Sequence, residues 1–129
     1  MATLALACSA AACGTPSPDL FVVQRDGSVP GAKLTLLVSD TTVRCNEGPR
    51  RPLTSAQTID ARVLTDDLLE LQSDSEPVPK APRAQIFSFE VRSEKGTLRY
   101  PDTAQRPPVL PRLSRFVRRT AIDTCGLKR

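Results

Sequence analysis

The residues of this 129-residue chain best suited to covalent chemistry are its four cysteines, and they form two unlike pairs. Cys8 and Cys13 lie in an apolar, alanine-rich N-terminus, whereas Cys45 and Cys125 stand 80 positions apart in the body. Two reactions fit them: thioether attachment of lipid to an N-terminal cysteine, and oxidation of a pair to a disulfide. Residues 1–13 read as the end of a secretory leader, with Leu4 and Leu6 in a short apolar run and Ala10, Ala11 and Ala12 before Cys13. The run is shorter than the ~20 apolar residues that a membrane-spanning helix needs. Residues 14–18 form a polar tether, which makes Cys13 the expected lipidation site; Cys8, preceded by Ala5, Leu6 and Ala7, is its rival. Cys45 and Cys125 are either two buried thiols or one structural disulfide, and export favours the bridge. The expected location is the cell envelope, lipid-anchored to the outer face of the cytoplasmic membrane, with secretion as the alternative.

Much other chemistry is missing. Without a histidine the chain has no Ser-His or Cys-His nucleophile pair and no usual zinc set. It also lacks a glycine-rich phosphate loop. Asp66 and Asp67 could hold a hard cation, but neighbouring acids on a helix also serve as a solvated face. The expectation is therefore a non-enzymatic protein with no catalytic residue, metal ligand or cofactor. Charge is unevenly spread: five basic against four acidic residues over 14–52, one against six over 53–76, and twelve against four over 77–129. Arg112, Arg115, Arg118 and Arg119 form a basic surface on the last helix. They could meet anionic lipid headgroups or cell-wall polymers, or simply pair with nearby acids. Nucleic acid is not an expected partner, because the chain has four Phe, one Tyr and no Trp, and no aromatic row accompanies the charge.

The elements that must position these groups follow from periodicity. Residues 1–13 and 14–18 precede one domain spanning 19–129. A β-rich run at 19–25 ends at Asp26 and Gly27, a strong turn signal. Leu34, Leu36 and Val38 then share one face of a strand, and a turn at 39–41 leads into a short strand at 42–45. Residues 46–52 read as a polar loop. Over 54–72 the period becomes helical, with Ala56, Ile59, Val63, Leu64, Leu68 and Leu71 on one stripe and Asp60 and Asp67 intruding on it. Thr54 or Ser55 caps this helix, and a break at Thr65 into a second short helix remains open. The prolines at 77, 79 and 82 make 73–82 a loop.

Phe87, Phe89 and Val91 alternate with polar neighbours in the next strand, 85–92, and a turn at 93–96 leads to another at 97–100. The last helix, 109–124, repeats Leu110, Leu113, Phe116, Val117 and Ala121 every three or four residues, and Gly126 ends it. Cys125 continues its buried face, where a bridge to Cys45 would need it. The order β-β-β-α-β-β-α predicts an α+β fold: an antiparallel sheet of four to five strands with two helices packed on one face.

Several of these pieces resemble the emfourin family, small bacterial inhibitors of thermolysin-like metalloproteases. Phe21 through Gly27, with Pro30 and Gly31, is similar to the family's opening strand and glycine-containing loop. Phe87, Ser88, Phe89, Glu90 and Val91, followed by Gly96, Thr97 and Leu98, then Asp102, Pro108, Leu110 and Leu113, resemble its hairpin, aspartate and final helix. The resemblance implies an α+β inhibitor whose partner is an extracellular or envelope protease. Such an inhibitor needs an exposed, stiff loop, and Asp26, Gly27, Ser28, Val29, Pro30 and Gly31 are the candidate binding loop. A plain hairpin connection is the other reading of the same residues.

Overall fold

The computed structural model describes residues 19–74 and 86–129. The expected lipidation site Cys13, its rival Cys8, the leader and the tether lie outside those residues, as does most of the proline-containing segment after the first helix. Strands β1 (Asp19–Gly27), β2 (Leu34–Ser39), β3 (Thr42–Cys45) and β4 (Arg50–Pro52) precede helix α1 (Ser55–Asp74). Strands β5 (Phe87–Ser93) and β6 (Gly96–Pro101) and helix α2 (Val109–Asp123) are the other elements of the described residues. The six strands form one antiparallel sheet in the order β4-β3-β2-β1-β5-β6, an α+β fold with one strand more than expected.

Register explains which face is covered. Cys45, Leu36, Val23, Val91 and Leu98 stand opposite one another across five strands, and Leu34, Arg25, Phe89 and Tyr100 make the adjacent row. Both rows point to the same side, because side chains alternate along every strand. With Leu64 and Leu68 of α1 and Leu110, Leu113 and Val117 of α2, most of these residues form one buried core. Phe21 meets Phe116 of α2 edge-to-face at 6.1 Å, and Phe89 stacks on Tyr100 at 5.1 Å. The opposite face carries Gln24, Thr35, Glu90 and Arg99, with the Glu90–Arg99 ion pair at 2.8 Å.

Three local expectations change. First, the segment read as a loop at 46–52 contains β4. Arg51 and Pro52 have little strand propensity, so the pairing is set by the preceding turn, where Asn46 takes a positive φ of 54°. In that turn Arg44 Nε donates to the Gly48 carbonyl at 2.9 Å. Second, Asp26 and Gly27 do not make the turn. The strand runs through them, and Gly27 pairs with Phe87 so closely that a Cβ there would lie 2.5 Å from the Ile86 carbonyl oxygen. Glycine is needed for that approach rather than for a bend, and the reversal falls at 28–31.

Third, α1 is rotated from its expected stripe. Ile59 and Val63 are 60% and 43% exposed, Ala56 is exposed, and Ala61 takes an inward place. Polar contacts accompany this orientation: Gln57 Nε2 donates to Thr124 Oγ1 at 3.0 Å, and Arg112 Nη1 donates to Asp67 Oδ2 at 2.6 Å. Asp67 is thus a tie between helices. The helix is continuous through Thr65, whose hydroxyl donates back to the Ala61 carbonyl at 2.7 Å. Thr54 and Gln57 cap its start reciprocally, Gln57 N donating to Thr54 Oγ1 and Thr54 N to Gln57 Oε1. At its far end Gln72 donates to the Gly96 carbonyl and contacts Ser93, tying α1 to the β5–β6 turn.

Cys45 and Cys125 form a disulfide, with Cα atoms 5.9 Å apart. Gly126, at φ 71°, ends the final helix beyond the bridge and lets Leu127 N return to the Ala121 carbonyl at 2.9 Å. The bond joins the inward face of β3 to the C-terminal end of α2, clamping the helical layer onto the sheet.

Candidate functional site

The connection between β1 and β2 is gripped from below by Arg25. Inward parity along β1 (Phe21, Val23, Arg25) puts this residue in an apolar row, 3% exposed. Its Nε donates to the Ala32 carbonyl at 2.8 Å, and its Nη2 to the main-chain oxygens of Gly31 at 3.4 Å and Arg129 at 2.9 Å. The guanidinium carbon also lies 5.0 Å from the centroid of the Phe87 ring, a cation–π contact. Burial, and after it the charge of Arg129, pulls the Arg25 guanidinium below its ordinary value. A group of this basicity nevertheless stays protonated, so the loop rests on a permanent cation.

Further bonds fix the loop itself. Gly27 N donates to Asp26 Oδ1 at 2.8 Å, Ser28 N to the Ile86 carbonyl at 3.2 Å, and Ala32 N to the Val29 carbonyl at 3.2 Å. Gly31 closes the reversal at φ 75°, a conformation that glycine adopts without strain. Asp26, Gly27, Ser28, Pro30 and Gly31 are exposed and Val29 is half-buried. The candidate loop is therefore one solvent-facing ridge with several main-chain anchors.

The strand beneath that ridge is pinned in turn by Asp102. Its Oδ2 accepts from the amides of Ile86 and Phe87 at 3.0 and 2.9 Å, and its own amide donates to the Phe87 carbonyl at 3.0 Å. The other carboxylate oxygen is buried and has no hydrogen-bond partner. Thr120 Oγ1 in α2 is likewise buried and unpartnered.

The four arginines of the last helix do not act as one plane. Arg112 is bound to Asp67, and with Arg115 and Arg119 it lines a groove of about 340 Å³ against α1 that also contains Asp60 and Asp123. Arg115 and Arg118 face a second cavity of about 510 Å³, whose wall includes Arg25, Phe87, Asp102 and Arg129. A depression of about 880 Å³ on the open sheet face includes Gln24, Asp26, Lys33, Glu90 and Arg99. Among the described residues, no three Cys, Asp or Glu side chains gather as a metal site, and no helix is long and apolar enough to cross a membrane.

Of candidate loop residues 26–31, Asp26 and Gly27 belong to the end of β1 and residues 28–31 make the reversal, and Cys45 meets Cys125. Arg25 and Asp102 are the organising residues that motif reading overlooks as a site. The signal for Arg25 is parity: it stands two residues after Val23 on the face that Phe21 and Val23 direct inward. No signal within the sequence pairs Asp102 with the Ile86 and Phe87 amides, since that contact depends on the β5–β6 hairpin bringing the two ends together. Comparison with known proteins finds no matching family model, curated protein or solved structure.

Proposed function

We propose that this protein is a non-enzymatic binding module of the cell envelope that presents residues 26–31 to a partner, a protease in the emfourin-like reading. The observation that carries the proposal is the grip of Arg25 on Gly31 and Ala32. A loop fixed before binding loses little conformational entropy on association, and a stiff backbone resists the distortion that cleavage requires. The Cys45–Cys125 bridge supports an oxidising location, where such bonds persist. Anchoring through lipidated Cys13 would hold the module at the outer face of the cytoplasmic membrane; a secreted form would work by the same loop. The purified, oxidised protein is expected to inhibit a thermolysin-like metalloprotease at stoichiometric concentrations while being digested slowly. Full protease activity in excess protein, across several such enzymes, argues against it.

A second reading is favoured by one feature. Arg115, Arg118 and Arg119 are exposed and form no ion pair among the described residues. They would let the last helix dock on anionic envelope lipids or cell-wall polymers. Sedimentation with anionic vesicles should then weaken steeply as salt rises; binding that is absent or insensitive to salt removes this reading.

A further inference from the structure

The cavity of about 510 Å³ beside the loop joins two properties, clustered positive charge and an apolar wall. Its walls carry four guanidinium groups: Arg25 from β1, Arg115 and Arg118 from α2, and Arg129. The only acidic side chain among its lining residues is Asp102, which receives two main-chain amides through Oδ2 while its Oδ1 is buried without a partner. Side-chain charge on the wall is thus four positive against one negative. No side-chain carboxylate lies within ion-pairing distance of Arg25, Arg115, Arg118 or Arg129 among the described residues. The rest of the surface is largely apolar. Phe87 lies under Arg25, Val29 is half-buried, and Ile86 stands at the wall 49% exposed.

A partly exposed aliphatic and aromatic wall next to two exposed arginines, Arg115 and Arg118, that form no ion pair among the described residues suits one ligand chemistry. An inorganic anion would gain the charges but press its hydration shell against carbon. A neutral apolar molecule would cover the carbon but leave Arg115 and Arg118 without an ion-pair partner. Arginine forks receive carboxylates through two parallel hydrogen bonds, and pockets of a few hundred Å³ are the usual size for small ligands. We propose that this cavity binds a small amphipathic carboxylate, an aliphatic or aryl acid, with its apolar body on Phe87 and Ile86 and its carboxylate toward Arg115 and Arg118. Arg25 is held by the loop and forms the fixed cationic base of the site. This inference does not depend on the protease reading, since a ligand can bind here whether or not the ridge meets a protease.

Decanoate, decanol and inorganic phosphate, titrated separately into the full chain by calorimetry and by amide NMR, test the proposal. Decanoate is expected to bind and to shift the Ile86 and Phe87 amides, with decanol and phosphate each at least tenfold weaker. Replacing both exposed arginines, Arg115→Gln with Arg118→Gln, should weaken decanoate at least tenfold and leave the fold intact by circular dichroism. Should the double variant misfold, Arg118→Gln alone is expected to weaken decanoate at least threefold. Equal binding of decanol reduces the site to a greasy groove, and equal binding of phosphate to an ordinary basic surface; either overturns the proposal. Absence of decanoate binding up to millimolar concentration, or unchanged affinity in a folded variant, overturns it as well.

Discussion

Arg25 and Ala32 are joined by a 2.8 Å hydrogen bond from a buried guanidinium Nε to a loop carbonyl, and this bond links the core to the exposed ridge at 26–31. The arginine occupies a place that its row otherwise gives to Leu34, Phe89 and Tyr100. An apolar side chain there would leave the Ala32 and Arg129 oxygens without their donor and the ridge without its internal support.

Substituting Arg25 should therefore be felt at the loop as well as in the core. Arg25→Gln leaves the Ala32 and Arg129 oxygens without their donor, and losing hydrogen bonds to a charged group costs about 1.5–3 kcal/mol each at most. Denaturant unfolding should show a loss of about 2–4 kcal/mol. Amide exchange at Ser28 and Ala32 should accelerate beyond that of the core strands. Lysine should not rescue, since it lacks the planar fork. Stability and exchange like those of the parent would mean that Arg25 does not support the ridge.

The bridge between Cys45 and Cys125 closes a long loop, with a sequence separation of 80. On the chain-entropy account, removing it costs about 4 kcal/mol, roughly 15–20 °C in Tm for a domain of this size. Cys45→Ser with Cys125→Ser is expected to show that loss in thermal melts. Reductant should lower the Tm of the parent and leave the double variant unchanged. A Tm drop of only a degree or two would contradict the clamp described above.

Tyr100 is the only tyrosine, so its ionisation can be followed by ultraviolet absorbance without interference. Burial pushes its phenol above the ordinary value, and the hydrogen bond with Ser114 offsets only part of that shift. A folded pKa above the unfolded one means that the folded state keeps its proton where the unfolded state loses it. The stabilising contribution is complete below about pH 10 and is lost as pH rises further. Tyrosinate absorbance should thus appear together with alkaline unfolding. Ionisation near pH 10 in a protein whose circular dichroism is still native would refute the burial of this ring.

The orientation of α1 separates two leucine-sized positions that look alike in the sequence. Leu68 is fully buried, so Leu68→Ala should cost about 2–5 kcal/mol in denaturant unfolding. Ile59 is 60% exposed, so Ile59→Lys should change stability by less than about 0.5 kcal/mol. A large loss from Ile59→Lys would restore the helix face expected from periodicity.

That contrast marks where the sequence is legible. β2 and β5 are readable because Leu34, Leu36 and Val38, and then Phe89 and Val91, alternate with more exposed neighbours, a period imposed by the strand itself. α2 is readable for the same reason, with Leu110, Leu113, Phe116, Val117 and Ala121 all buried. α1 is less so, because Ile59 and Val63 compete with Leu64 and Leu68 for the inward face. The face that wins, Ala61, Leu64 and Leu68, packs against residues distant in the chain, and Gln57 and Asp67 bond to Thr124 and Arg112 beside it. β4 is invisible for a related reason: its pairing belongs to the backbone of β3 and the Asn46 turn rather than to Arg50, Arg51 or Pro52. Of the candidate site, the exposed loop and the cysteine pair are legible from residue type. Its supports are not, since Arg25 looks like any surface arginine until the parity of β1 is traced inward.

The measurement that bears most directly on the central claim is an inhibition titration of a thermolysin-like metalloprotease with the parent protein and with Ser28→Arg combined with Pro30→Ala. Both positions are exposed on the ridge, so the variant should keep the parent's Tm within a few degrees. The parent is expected to abolish activity at close to one equivalent and to remain intact by mass, while the variant inhibits at least tenfold more weakly. Activity that is untouched by the parent, or suppressed equally by both proteins, would contradict recognition through this loop.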